Sequence, residues 1–240
     1  MPLNTSPLSA IELRLLAQDW LAKRHPDATI VTELSVGNWG SASIDIAAIT
    51  DSHIIGVEIK GEGDSPTRLD RQGLAYGMVA KEMWLLPSPC SSEKTFKHRP
   101  PCWGRLEVFD DAVRPFNRAT KTDYDTKIPT RHGGVRHPVM RDDSRYKPEP
   151  GYIGGHLSPQ KMLETLWKDE LYNIARRQRI EGVTKRTAVH VISDLIEAEL
   201  PAPMIHDEMI TELRSREWKK DVIDLRTPEG RHIASGKLVA

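Results

Sequence analysis

The chain predicts an α/β protein with a mixed sheet, followed by a C-terminal helical subdomain, and three observations carry that prediction. Short segments of period-two alternation succeed one another in the first half, as in Ser43–Thr50 (SIDIAAIT) and Ile54–Lys60 (IIGVEIK). A helical segment, Leu69–Ala80, separates these from the apolar run Met83–Leu86, as expected where a later strand is reached by a helical crossover. From Ser158 onward, apolar residues recur at helical spacing.

The elements follow in order. Ser9 is placed to cap a helix whose apolar positions Ile11, Leu13, Leu15, Leu16, Trp20 and Leu21 largely share one face, and Pro26 ends it. Thr29–Ser35 is a first strand, and Gly37-Asn38 with Gly40 a turn. The SIDIAAIT and IIGVEIK strands are joined through Asp51-Ser52 as a short hairpin. A polar, glycine-rich break at Gly61–Ser65 precedes the second helix, and Arg105–Phe109 is a further strand. In the last third, Ser158 caps a helix with Pro159 in its first turn, carrying Met162, Leu163, Leu166, Trp167, Leu171 and Ile174. Two more helices are expected over Lys185–Leu200 and Ile205–Arg216. Three short helices with basic residues near their ends resemble a small helix-turn-helix-like bundle, suited to DNA contact or to packing.

These elements divide the chain into residues 1–112, a basic Pro/Gly-rich loop or linker at 113–157, and a helical part with a tail at 158–240. The 240 residues carry no net charge, so composition alone does not announce nucleic-acid binding. The middle segment is nevertheless locally basic, with Arg131 and Arg136 among its cations. No run approaches the roughly 18 apolar residues of a membrane span, and the N-terminus lacks the pattern of a secretory signal. Two cysteines, Cys90 and Cys102, fit a reducing, cytoplasmic setting. GEGD and GYIGG lack the context of a phosphate loop. Trp39, Trp84 and Trp103 are expected to pack in the core, and Glu62 and Asp64 to hydrate a loop.

The chemistry is concentrated at Asp45, Glu58 and Lys60. Residues two apart on a strand share a face, so Glu58 and Lys60 point the same way. A hairpin turning at Asp51-Ser52 brings Asp45 nearly opposite Glu58. Asp45 interrupts an apolar strand, where an uncompensated carboxylate is costly. Paired carboxylates suit a hard cation such as Mg²⁺ or Mn²⁺, which polarises a phosphate and acidifies bound water. A lysine beside them can assist that water or offset developing negative charge.

From Glu33 to Leu86 the sequence resembles the PD-(D/E)xK nucleases, among them small bacterial and phage families such as the MmcB-like DNA-repair-associated proteins. The shared features are a Glu-Leu strand start, a strand with a lone Asp, the Glu58-Ile59-Lys60 strand, and Arg68-Leu69-Asp70-Arg71-Gln72 followed by Tyr76. Gln72 and Tyr76 have the spacing of the helix motif of RecB-type nucleases, on one helix face. Ile44 stands where the superfamily's name has proline. The resemblance implies a restriction-endonuclease-like three-layer α/β/α core. It implies Asp45, Glu58 and the Ile59 carbonyl as ligands of Mg²⁺ or Mn²⁺, with Lys60 as the catalytic lysine and Gln72 and Tyr76 orienting substrate. A further acid comes from Glu12 or Glu33, with Glu33 slightly favoured because it opens the matching stretch. DNA is the expected partner, with Arg68, Arg71, Arg131 and Arg136 as contacts, and a homodimer is compatible with the sequence. The expectation is a metal-dependent deoxyribonuclease of DNA repair or of phage or mobile-element DNA processing. The alternatives are an inactive nuclease-fold DNA-binding or adaptor protein and a helix-turn-helix regulator.

Overall fold

A computed structural model describes residues 8–36, 42–100, 102–119, 157–218 and 222–224. Helix α1 (Ala10–Arg24) is followed by β1 (Thr29–Val36), β2 (Ala42–Ile49) and β3 (Ile54–Lys60). Then come α2 (Leu69–Gly77), β4 (Glu82–Pro87), the short α3 (Ser92–Phe96), and β5 (Gly104–Phe109) with β6 (Ala112–Asn117). Helices α4 (Pro159–Leu163), α5 (Lys168–Arg177), α6 (Val189–Glu199) and α7 (Ala202–Ser215) precede a last strand, β7 (Val222–Asp224). The seven strands form one sheet in the order β6-β5-β4-β3-β2-β1-β7. Pairing is parallel in β3–β4 and β4–β5 and antiparallel elsewhere, so the sheet is mixed as predicted.

Helices cover both faces. On one side Leu13, Ala17 and Leu21 of α1 pack on Ile30, Ile46, Ile55 and Val57. On the other, Leu69 and Tyr76 of α2 share a core with Ile49, Ile54 and Leu85 and with Leu163, Ile174, Ile192 and Leu213 of the C-terminal helices. The α/β architecture with C-terminal helices is therefore present, in three layers. Those helices do not stand apart as a separate bundle: their apolar faces bury against the sheet, because neither surface is covered without the other.

Several local expectations are corrected. Val113–Asn117, assigned to the linker, completes β6 against β5, and the tail contributes β7 at the opposite edge. The helix expected from Ser158 through Ile174 is two: α4 ends at Leu163, and α5 restarts where the Glu170 carboxylate accepts from the Trp167 N–H at 2.6 Å. The apolar face of α1 is narrower than expected, since Ile11 and Leu15 are exposed at 72% and 61%. Ser9 and Glu12 form a reciprocal capping box at its start. Among the described residues no helix is long and apolar enough to cross a membrane.

Candidate active site at a fork in the sheet

Strands β2 and β3 pair from Ile49↔Ile54 to Ile46↔Val57 and there part company. Beyond that point β2 stays with β1 as far as Val36↔Ala42, while β3 stays with β4 as far as Lys60↔Pro87. The result is a fork in the middle of the sheet. Its first unpaired level is where the hairpin register would set Asp45 opposite Glu58.

The alternation of side chains breaks at the same level. Along β2, Ala47 and Ile49 face α2, and Ile46 and Ala48 face α1, yet Ile44 returns to the α2 side. Along β1, Ile30 faces α1 and Val31 the other side, yet Leu34 and Val36 both join Val31. Glu33, level with Asp45, absorbs the switch with a positive φ of 54°, a conformation a non-glycine residue adopts at a cost. Gly56 makes room on β3: a Cβ there would lie 2.3 Å from Met83 Sδ and 3.0 Å from Ile44 Cγ2.

Bending at this level turns Asp45 toward β3. Its Oδ2 accepts from the Ile59 N–H at 2.7 Å, replacing the ladder bond that the fork removed. A strand residue's N–H and C=O leave the same edge, so the Ile59 carbonyl also faces the fork. Glu58 is almost completely buried; its Oε1 accepts from Lys60 Nζ at 2.5 Å, and its Oε2 is buried without a hydrogen-bond partner. Burial first, then the charge of Asp45, pushes the Glu58 carboxyl up to about 7, against the opposing pull of Lys60 and of the nearby Tyr76 hydroxyl. Burial also raises Asp45, opposed by the Ile59 N–H, Lys60 and Arg14, with a smaller upward push from the charge of Asp64. Two carboxylates thus share one lysine in a dry place, which is unfavourable for both being ionised together.

Tyr76 closes the floor. It is fully buried, its ring stacks 5.9 Å from Trp103, and its hydroxyl donates to the Ser43 carbonyl at 2.5 Å. That single proton is committed to Ser43, so Tyr76 anchors α2 to β2 beside Glu58; burial, then the nearby Glu58 charge, raises its own pKa. Gln72, one helical turn earlier, is half-buried with its Oε1 unpartnered.

Of the expected site residues, the fold brings Asp45, Glu58, Ile59, Lys60 and Tyr76 together. Glu33 lies at the rim, exposed and 3.6 Å from Arg14, the cation of α1 that also acts on Asp45. Glu12 faces solvent, its carboxylate engaged by Ser9. Arg68 and Arg71 fall in the turn before α2 and in α2, but their side chains, like Arg131 and Arg136 altogether, lie outside the described residues. Asp64 accepts from the Gly61 N–H at 2.7 Å in the loop after β3, and its charge also acts on Asp45. Trp84 packs edge-on against Trp20 and Trp103 against Tyr76, also as expected, while Trp39 lies outside the described residues. Arg14 is the rim residue that periodicity did not single out, since its position on α1 says nothing of Asp45 across the sheet.

Among the described residues no three of His, Cys, Asp and Glu converge in the manner of an all-protein metal cage. Mg²⁺ does not require one; it is commonly held by one or two carboxylates and keeps several waters. Asp45, the orphaned Glu58 Oε2 and the Ile59 carbonyl are hard oxygen donors of that kind.

The model of the family described as Bacteriophage P4 protein cII matches residues 10–88, from α1 to just past β4. No curated protein matches. Among solved structures the chain is similar to a protein of unknown function from Silicibacter pomeroyi, SPO1766, at 17% identity and a TM-score of 0.34. That similarity covers 45% of this chain and 70% of the other.

Proposed function

We propose that this protein is a divalent-metal-dependent nuclease that hydrolyses phosphodiester bonds in DNA, with its active site at the β2–β3 fork. The observation that carries the reading is the buried Glu58 carboxylate beside the half-buried Asp45, with one oxygen, Glu58 Oε2, left without a hydrogen-bond partner. Leaving such a group unpaired is costly, and a bound cation removes the cost. The resemblance of Glu33–Leu86 to the PD-(D/E)xK nucleases supports the same assignment. The match of residues 10–88 to a phage protein family favours a setting in phage or mobile-element DNA processing.

In this reading Asp45, Glu58 and the Ile59 carbonyl hold Mg²⁺ or Mn²⁺. The ion, when bound, supplies a polarised phosphate and a more acidic water. Lys60 Nζ, kept in place by Glu58 Oε1, offers its remaining N–H groups to the attacking water or to a phosphate oxygen. The hydrogen bond from Ile59 holds Asp45 in one rotamer, so the donor set is organised before substrate arrives. Tyr76 and the Ser43 carbonyl keep α2 and Gln72 at the floor of the fork.

The test pairs cleavage with metal binding. Linear, circular, single-stranded and flap DNA are incubated with Mg²⁺ or Mn²⁺, and Lys60→Ala is expected to lose about 10²–10⁴-fold in rate. Calorimetry with Mn²⁺ should give heat for the wild type and none for Asp45→Ala. Equal, negligible heats for both would remove the enzyme and leave a nuclease-fold binding or adaptor protein.

A further inference from the structure

The active-site face of the sheet continues past β4 onto the β5–β6 hairpin. Register pairs set Glu58 beside Leu85 and Leu85 beside Arg105, so these three form one row across the sheet. At the ordinary strand spacing, Glu58 and Arg105 are about 10 Å apart. Leu106 and Val108 face α1, so Arg105, Glu107 and Phe109 face the other way, on the side of Glu58 and Lys60. On β6, Arg114 stands opposite Glu107, and Phe116 falls at the register shift between the Leu106↔Pro115 and Arg105↔Asn117 pairs, with its ring against the Arg105 guanidinium.

On this face cations and rings alternate. The Arg105 guanidinium lies between two rings, 3.8 Å from the centre of Phe96 and 4.3 Å from that of Phe116. It also pairs with Glu107, and its Nε is buried without a hydrogen-bond partner. Next along the hairpin, Arg114 lies 4.7 Å over the ring of Phe109. Phe116 and Phe109 are exposed at 61% and 42%, large rings left in water on a strand pair at the sheet edge. Exposed rings interleaved with arginines match the requirements of an unpaired nucleic-acid strand, whose bases stack on aromatic faces while its phosphates meet cations. Duplex DNA hides its base faces and gains nothing from such rings. Glu107, Asp110 and Asp111 balance the arginines of the hairpin itself, so the positive charge that favours this occupant comes from the locally basic stretch of sequence that follows Arg118.

We infer that the exposed Phe109/Phe116 face of the β5–β6 hairpin, with Arg105 and Arg114, is a stacking platform for single-stranded DNA leading to the Glu58–Lys60 site. The inference rests on the nuclease reading for its destination, and it names the substrate as a single strand or the single-stranded arm of a branched molecule.

Binding is measured on the full-length protein in EDTA, so that no cleavage occurs, by the fluorescence anisotropy of a labelled mixed-sequence single strand and of a duplex of equal length. The wild type is expected to prefer the single strand. Stacking on one ring corresponds to at least about a fivefold change in affinity, so Phe116→Ala should weaken single-strand binding by that factor or more. Phe116→Tyr should restore it, and the duplex should be unaffected by either change. Neither side chain belongs to the buried core, so folding is expected to survive, and thermal melting verifies this; Phe109→Ala gives an independent second test. Single-strand affinity unchanged in both alanine variants, or tighter binding to duplex, overturns the platform. So does a wild-type dimer that both alanine variants convert to monomer, since the rings would then be a contact between copies. Platform and catalysis fail separately. Ring-dependent binding without Mn²⁺ uptake removes only the enzyme, and Lys60-dependent cleavage with ring-independent binding removes only the platform.

Discussion

Two regions of this molecule bring buried carboxylates close to another carboxylate or to an arginine, and they treat them in opposite ways. In the C-terminal helices, Glu170 receives two hydrogen bonds from Arg216, at 2.6 and 2.5 Å, and Arg216 is itself flanked by the rings of Trp167 and Trp218. Glu208 and Glu212 converge on Arg177, whose pKa rises through those hydrogen bonds. Each oxygen of these three carboxylates has a hydrogen-bond donor, and Arg177 and Arg216, basic residues near helix ends, are engaged within the chain. At the β2–β3 fork two carboxylates share one lysine, and an oxygen of Glu58 is left without a partner. The first arrangement fastens helices together. The second is organised but incomplete, which is what a binding site for a cation requires.

The comparison can be broken most severely at the helices. Arg216→Ala leaves Glu170 buried without its partner and should cost about 3–5 kcal/mol, read as a lower urea midpoint that Mn²⁺ does not selectively restore. A loss below about 1 kcal/mol would mean that the pair is not structural.

The fork is sharpened by pH. Glu58 has a folded-state pKa of about 7 against an ordinary 4.5. The folded protein therefore holds a proton that the unfolded chain has released, and stability is greatest below 4.5 and falls as pH rises through 7. For the metal-free protein this contribution is roughly 3 kcal/mol. The fall should be absent from Glu58→Gln, and Mn²⁺ should raise the melting temperature more at pH 8 than at pH 5, because metal and proton compete for the carboxylates. Parallel pH profiles for the wild type and Glu58→Gln would remove Glu58 as the titrating group.

The smallest effect is expected at the floor of the site. Tyr76→Phe removes the hydrogen bond to the Ser43 carbonyl and should cost about 1 kcal/mol. Packing against Trp103 is kept, so Mn²⁺ binding should persist. Abolished metal binding in this variant would move the Tyr76 hydroxyl from anchoring into the ligand set.

Much of the fold was legible because local patterns and tertiary burial agree. IIGVEIK is a strand in both accounts, with Ile55, Val57 and Ile59 facing one core and Glu58 the other side, and the Ser9 cap begins α1 where expected. The edge strands were harder to read. β6 contains Arg114, Pro115 and Asn117, and the three-residue β7 acquires its character only by pairing with β1. Ile11 and Leu15 misled in the other direction, being apolar at helical spacing yet exposed. Nothing in the sequence marks which side of a helix a sheet will meet.

The sequence by itself determined the three residues of the candidate site and the hairpin register up to Ile46 and Val57, because period two and a short hairpin leave few alternatives that far. Only the tertiary structure decided that the sheet opens at their level. That opening depends on neighbours distant in sequence: Glu33 taking a positive φ in β1, Ile44 crossing over Gly56 toward Met83, and β4 and β1 each holding one side of the fork. The same long-range packing placed Arg105 in the row of Glu58 and left Phe116 exposed beside it. Strand order governs that proximity, and strand order is set by which apolar faces are buried together across the whole chain.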